Sequence, residues 1–318
     1  MQVIRNLDDL PPTWRSGAVT IGNYDGVHLG HARIVARVLD LARRVHGPAI
    51  VFTFDPPPAR LLRPDRAPAP LTWIERKLDL LSELGVDLVI AYPTDESFLQ
   101  LGPREFFDRV VCDRLGAHGL VEGTNFYFGH GRRGNIELLA RFCREAALPL
   151  AIVEPVQYQG QPISSSRIRS VLAAGNVDSA RHMLTKPYRI RGLVIRGAGR
   201  GVKLGYPTAN LEQVDTLLPA QGIYAGSVPL DGRRWPGAIS IGPNPTFNDG
   251  RLKVEAHLIG FQGDLYERTL EVEFLARLRD IVRFDRVESL LAQMERDVAA
   301  ARQTAQINFP LTPGPPRP

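Results

Sequence analysis

AVTIGNYDGVHLGH, residues Ala18–His31, is the stretch whose reading decides the fold of the N-terminal half. Ala18–Ile21 read as a buried strand; Gly22, Asn23, Asp25 and Gly26 interrupt it; a helix then opens with His28 and His31. Strand, glycine turn and helix N-terminus make a cradle for phosphate. Glycines let backbone N–H groups approach an anion closely, and the first helical turn adds a partial positive charge. At i and i+3 the two imidazoles share one face of that turn, where they can donate to phosphoryl oxygens as charge develops. Two histidines three apart mean little by themselves; behind a strand and a glycine turn they point to an anionic ligand.

Working outward, apolar strand-like runs at Ala49–Phe54, Leu88–Ala91, Gly119–Glu122 and Leu150–Val153 alternate with helical stretches. Ile34, Val35, Val38, Leu41, Ala42 and Val45 recur at helical spacing, as do Leu78, Leu81 and Leu84. That alternation predicts an α/β half with a parallel sheet. Asp55–Pro70, rich in Pro and Arg, reads as a long surface loop. After a boundary near Thr185–Tyr188 the runs become short and turn-separated: Arg189–Ile195, Ile223–Pro229, Ala238–Ile241, Leu252–Ile259 and Thr269–Phe274. They predict an antiparallel barrel or sandwich. A closing helix from Val287 to about Arg302 puts Val287, Leu290, Leu291, Met294 and Val298 on one face, and the proline-rich end of the chain reads as disordered.

Length agrees with two domains, since 318 residues are about twice the usual roughly 150 per domain. With 44% hydrophobic and 23% charged residues the composition is that of a folded globular chain rather than a disordered or fibrous one. No apolar run reaches the roughly 18 residues a membrane span needs, and the N-terminus lacks a leader pattern, so the expected compartment is the cytoplasm. Cys112 and Cys143 are too few for a disulfide framework or a four-ligand zinc site and read as inert core thiols. The net charge of +5 comes from 39 basic and 34 acidic residues, with no basic run interleaved with aromatics, so anionic small molecules are favoured over nucleic acid.

Two further constellations carry chemistry. In Arg196–Asn210, RGAGRGVKLGYPTAN, the glycines Gly199 and Gly201, with Lys203, suit a nucleotide's phosphates. If its end is extended, Thr208 and Asn210 point the same way, offering a hydroxyl and an amide oxygen to Mg²⁺. On Leu252–Ile259, Leu252, Val254, Ala256 and Leu258 form one face, and Lys253, Glu255, His257 and Ile259 the other. Glu255 is thus presented by a strand, either as a solvated polar residue or as a base for a ligand hydroxyl.

His28-x-x-His31 resembles the H-x-G-H signature of nucleotidyltransferases, and Ser165, Ser166 and Arg169 in ISSSRIR resemble their S-S-T-x-x-R. Physically, the serines offer hydroxyl and amide donors and Arg169 a fixed positive fork, while Ser164–Ser166 also read as a helix N-cap. Over roughly residues 15–305, the ordered motifs GNYDGVHLGH, FDPPP, ISSSRIR, KPY, LGYPTAN, GIYAG, SIGPNPTF, VEAHLI and GDLY resemble the bacterial riboflavin kinase/FMN adenylyltransferase family, the FAD synthetases. The pattern departs from the family's at Tyr24, Pro57, Asn125, Tyr127, Ser166, Glu267, and Asp280 or Ile281.

The resemblance implies an α/β plus β architecture. A Rossmann-like nucleotidyltransferase domain (1–185) precedes a six-stranded antiparallel riboflavin-kinase barrel with a C-terminal helix (186–306) and a disordered tail (307–318). It implies ATP-dependent phosphorylation of riboflavin to FMN, then adenylylation of FMN to FAD with release of pyrophosphate. Implied catalytic residues are Glu255 as general base, with His28, His31 and Arg169. Gly22, Asn23, Asp25, Ser165 and Ser166 join the first ATP site, Asn125 a flavin contact, and Gly199, Gly201, Lys203, Thr208 and Asn210 the kinase's Mg-nucleotide. The partners expected are riboflavin, FMN and ATP, with no nucleic acid or membrane, and a monomer or weak homo-oligomer. The alternatives are a chain retaining the kinase alone and a non-catalytic flavin or nucleotide sensor.

Overall fold

A computed structural model describes residues 1–244, 246 and 249–308; the side chains of Lys203, Asn244, Asp249 and Arg251 stand outside the description. The chain forms two compact units, residues 1–68 with 73–165 and residues 69–72 with 166–318.

In the first unit the strands are β1 (Gln2–Ile4), β2 (Ala18–Ile21), β3 (Ala49–Phe54), β4 (Leu88–Tyr92), β5 (Gly119–Gly123) and β6 (Leu150–Val153). They form one parallel sheet in the order β1-β4-β3-β2-β5-β6. The short edge strand β1 carries too little periodic signal to be read from sequence. Helices α1 (Leu29–Arg44), α2 (Ile74–Glu83) and α3 (Ile136–Glu145) occupy the connections.

Strand alternation splits the core in two. Val19, Ile21, Ile50, Phe52, Leu88, Ile90 and Leu120 pack with Phe106, Phe107, Leu139 and Phe142 in one layer. Ala18, Ala49, Val51, Val89 and Val121 face the other way, where α1 contributes Val35 and Val38 and α2 contributes Leu80 and Leu81. From β2 the chain proceeds to β3 and β4 on one side, then returns to β5 and β6 on the other. The switch point between β2 and β5 is where open parallel sheets bind ligands, and the Gly22–His31 stretch starts there. The Asp55–Pro70 segment, expected as plain loop, holds a helical turn at Pro58–Leu62 and a 3-10 turn at Pro64–Arg66, each started by proline in the first turn.

The second unit opens with helices α4 (Ser165–Ala173, its first residue counted with the other unit) and α5 (Val177–Met183). A closed antiparallel barrel follows: β7 (Arg189–Ile195), β8 (Ala209–Glu212), β9 (Gly222–Leu230), β10 (Arg233–Asn244), β11 (Asp249–Leu258) and β12 (Thr269–Arg279), in the order β7-β8-β11-β10-β9-β12. Closure, rather than a sandwich, leaves no unpaired edge. Glu273, 1% exposed on β12, joins three other strands through Arg189, Ser227 and Arg234.

Two details correct the sequence reading. Leu252 is 57% exposed and Ile259 is buried, because the strand's apolar face begins at Val254 and the chain turns inward after Leu258. The closing helix, α6 (Val287–Asn308), runs past Arg302 and includes residues 307 and 308; the rest of the expected disordered tail, 309–318, lies outside the described residues. Its buried stripe is Asp297, Ala301 and Ala305 rather than the larger apolar residues, with Val287 45% exposed. Small residues let the helix approach Ala225, Ala238 and Ala276 closely, and Arg279 grips Asp297 with two nitrogens at 3.0 and 2.6 Å.

Candidate functional site

In the first unit, the loop leaving β2 is forced into an unusual shape. Tyr24, Gly26 and Val27 have φ of 48°, 85° and 39°; for a β-branched residue such as Val27 the left-handed region is strained. Packing holds it there. The Tyr24 and Val27 side chains are buried with Val35, Val51 and Leu80, and the Tyr24 hydroxyl is 2.7 Å from Thr20 Oγ1.

His28 is the N-cap of α1. The His31 N–H donates to His28 Nδ1 and the His28 N–H donates to His31 Nδ1, each at 3.3 Å. With both Nδ1 atoms accepting, each neutral ring carries its hydrogen on Nε2. The rings stack with centroids 3.6 Å apart. Burial pushes the His28 imidazolium down to about 4, and burial, then His28, then Lys77, push His31 well below its ordinary value. At neutral pH the pair is uncharged and presents two Nε2–H donors.

Ser165 Oγ donates to the Asp25 carbonyl at 2.9 Å, joining that serine to the glycine turn. Asn125 lies in the turn after β5, at the same edge of the sheet. Ser166 and Arg169 belong to the second unit, where Arg169 Nε donates to the Ala69 carbonyl at 2.8 Å. Where the family carries arginine, Tyr127 is 51% exposed with the Arg132 guanidinium 4.7 Å from its ring centroid. Pro57 starts the Pro58–Leu62 turn.

Two residues escaped the sequence reading. Glu122, 3% exposed on β5, accepts the Ile21 N–H at 2.8 Å. The β2–β5 ladder has paired only Ala18 with Gly119 and Val19 with Leu120, so this carboxyl satisfies the backbone where the strands part. Burial holds its acid form well above the usual carboxylate range. Lys77, 4% exposed, sits in the first turns of α2. Its signal was available, because it falls on the apolar stripe with Ile74 and Leu81. Of the cysteines, Cys143 is buried with its thiol pushed up to about 12, and Cys112, half-buried, is raised by burial first, so neither is a ready nucleophile.

In the barrel the second constellation comes together across strands. Asn210 on β8 is directly opposite Glu255 on β11, which in turn faces Ser240 on β10, so the three side chains share one surface. The glycine-rich turn folds over Asn210 and Thr208: a Cβ on Gly197 would lie 2.3 Å from Asn210 Nδ2, and one on Gly201 would lie 3.4 Å from Thr208 Oγ1. Gly199, with φ of 66°, caps a helical turn at Arg200–Lys203 that the sequence did not signal. The Lys203 side chain lies outside the described residues. His257 Nδ1 is 2.7 Å from the Pro207 carbonyl, and its ring contacts Tyr206, so a second residue on the Glu255 face of the strand fixes the Tyr-Pro-Thr-Ala-Asn segment.

Arg196 stacks on Tyr266 at 4.6 Å, and Glu267, replacing the family's glycine, has φ of 62° while its N–H donates to Val194 at 2.9 Å. Replacing Glu267 by glycine should therefore raise the barrel's stability by about 0.5–1 kcal/mol, read as an increased denaturant midpoint. Ile281, at a position where the family places an acid, packs against the Cα of Gly242, and Asp280 instead pairs with Arg277 at 2.7 Å.

A family profile for FAD synthetase matches residues 10–167, and one for riboflavin kinase matches residues 184–305. The bifunctional riboflavin kinase/FMN adenylyltransferase of Pseudomonas fluorescens is 38% identical over 306 residues, which are 96% of this chain and 98% of that protein. Its Escherichia coli K12 counterpart is 34% identical over 305 residues, 95% and 97% of the two chains. A solved Streptococcus pneumoniae chain, described as a macrolide-efflux protein, shares the fold with a TM-score of 0.83 at 29% identity, covering 94% of this chain and 98% of its own. With both profiles matched in order and similarity running through both units, the chain belongs to the bifunctional riboflavin kinase/FMN adenylyltransferase family.

Proposed function

We propose that residues 1–185 perform the adenylyl transfer and 186–306 the phosphorylation in this riboflavin kinase/FMN adenylyltransferase, each with its own ATP site. The observation that carries the second assignment is the Asn210–Glu255 pair under the glycine turn. Glu255 takes the proton of the riboflavin 5′-hydroxyl as its oxygen bonds to the γ-phosphorus of ATP; the β–γ anhydride bond breaks and ADP leaves. The Thr208 hydroxyl and the Asn210 amide oxygen are neutral oxygen donors, the ligand type Mg²⁺ prefers when it also keeps phosphate oxygens and water. Bound with ATP, Mg²⁺ offsets phosphate charge.

For the adenylyl transfer, an FMN phosphate oxygen attacks the α-phosphorus of ATP and pyrophosphate leaves, so no protein base is needed. His28 and His31 donate from Nε2 to phosphoryl oxygens, and Gly22, Asn23, Asp25 and Ser165 shape the cradle. Asn125 meets the flavin, and Ser166 and Arg169, in the second unit, are donors suited to phosphate oxygens. The geometry of a strained turn feeding two uncharged imidazoles supports this reading. The chain acts on small molecules in the cytoplasm, as a monomer or weak homo-oligomer, without nucleic acid or membrane. No helix among the described residues is long and apolar enough to cross a membrane.

The metal assignment is tested by titrating Mg²⁺ against each activity. Thr208→Ala and Asn210→Ala should raise the Mg²⁺ needed for half-maximal FMN formation on the order of tenfold, the equivalent of about 1.4 kcal/mol of lost contact. The requirement for FAD formation from supplied FMN should not move. An unchanged requirement in FMN formation would remove both residues from the metal.

A further inference from the structure

We infer that Lys77 is the phosphate-binding cation of the Gly22–His31 site, placed by α2 against the loop that leaves β2. The inference rests on reading that loop as the ATP site of adenylyl transfer. Lys77 is 4% exposed, yet among the described residues its ammonium makes a single long hydrogen bond, donated to Thr53 Oγ1 at 3.5 Å. Thr53 in turn donates to the Asn23 carbonyl at 3.1 Å. The buried cation is thus linked through one hydroxyl to the backbone of the glycine turn.

The charged and titratable groups that act on Lys77 come from three elements: Asp25 in the turn, Asp55 at the end of β3, and His31 in α1. Asp55 is engaged elsewhere, accepting from Arg5 at 3.0 Å. Burying an ammonium with one weak hydrogen bond is costly, and a chain gains little stability from such a placement. Stability therefore does not account for it. Burial lowers its proton affinity, while Asp25 and Asp55 act to keep the proton.

Chemistry supplies the reason. Adenylyl transfer brings an FMN phosphate against a triphosphate, and negative charge builds on the α-phosphoryl oxygens and on departing pyrophosphate. His28 and His31 are uncharged and contribute dipoles only. A lysine next to His31, with only one of its N–H donors engaged among the described residues, contributes positive charge in a setting of low dielectric, where it is worth far more than in water. Phosphate oxygens would then complete the hydrogen bonding of the Lys77 ammonium, which among the described residues has Thr53 Oγ1 as its acceptor.

The test compares Lys77→Met, Lys77→Arg and His28→Asn in the full chain, measuring FAD formation from FMN and ATP, FMN formation from riboflavin and ATP, and thermal unfolding. Lys77→Met should lower kcat for FAD formation on the order of 10²-fold and raise KM for ATP. The same sample should form FMN within twofold of the parent, and its melting temperature should be equal or higher, since an apolar isostere replaces a buried charge. Lys77→Arg should regain at least tenfold over the methionine variant. The inference is overturned if Lys77→Met keeps FAD formation within threefold while His28→Asn loses it. It is also overturned if the loss comes with a lowered melting temperature and no rescue by arginine, the behaviour of a structural lysine. If His28→Asn also leaves FAD formation intact, the reading of the loop as the ATP site fails, and this inference with it.

Discussion

Glu255→Gln should depress FMN formation by 10²- to about 10⁴-fold, the usual worth of a positioned general base, while FAD formation from supplied FMN stays within twofold. Glutamine keeps the size and hydrogen-bonding reach of the side chain but cannot take a proton at neutral pH. The strand that presents it is fixed on both sides, by β8 through Asn210 and by β10 through Ser240, so the substitution leaves the site's shape alone. Initial rates with FMN and FAD resolved by chromatography separate the two activities. Equal loss of both would mean that one site serves both reactions.

His28→Asn combined with His31→Asn should cost FAD formation on the order of 10²- to 10³-fold and leave FMN formation untouched. Asparagine is a good N-cap, so helix α1 should survive. The stacked rings act as one unit, with each Nδ1 accepting from the other residue's backbone, and the double variant should lose little more than either single variant. The pH dependence follows from the same geometry. Because burial lowers both imidazolium pKa values, FAD formation in the parent protein should show no limb near 6.5 and should fall only as pH drops toward about 4, where His28 protonates and its Nδ1 ceases to accept. Stability moves the same way. Below the unfolded value of about 6.5 the unfolded chain binds protons that the folded histidines refuse, so stability falls from that pH down toward the folded value. An activity limb centred at 6.5 would show that the pair is ordinarily solvated.

The α/β half was legible because its signals are strong and redundant. The runs at Ala18–Ile21, Ala49–Phe54 and Leu150–Val153 are the observed strands, and Leu88–Ala91 and Gly119–Glu122 each extend by one residue. In α1, Val35, Val38 and Ala42 are the buried stripe that their spacing announced. What was hidden is equally physical. Gln2–Ile4 is a strand only because β4 offers it an edge, and Ala209–Glu212 is too short for alternation to show before β7 and β11 flank it. α6 misled because its packing depends on small residues fitting a surface of alanines, whereas the apolar pattern favoured Leu290, Leu291 and Met294.

The candidate site residues were found by type and local pattern: glycines before a helix, two histidines one turn apart, a carboxylate on a strand. Residues whose meaning depends on burial were missed. Glu122 sits in a run of strand formers and shows itself only by accepting the Ile21 N–H where two strands separate. Lys77 stands on the apolar stripe of its helix, a hint in the sequence, but only its 4% exposure separates a buried cation from a lysine that reaches out to water. The Asn210–Glu255 pairing, 45 positions apart in sequence, is set by strand register, which no local pattern encodes.

The most direct measurement follows purified full-length protein with riboflavin, ATP and Mg²⁺ over time, quantifying FMN, FAD, ADP and pyrophosphate together. Two sites working in succession predict FMN appearing first, FAD accumulating from it, and one ADP and one pyrophosphate formed for each FAD. FMN that accumulates to completion with neither FAD nor pyrophosphate would contradict the account.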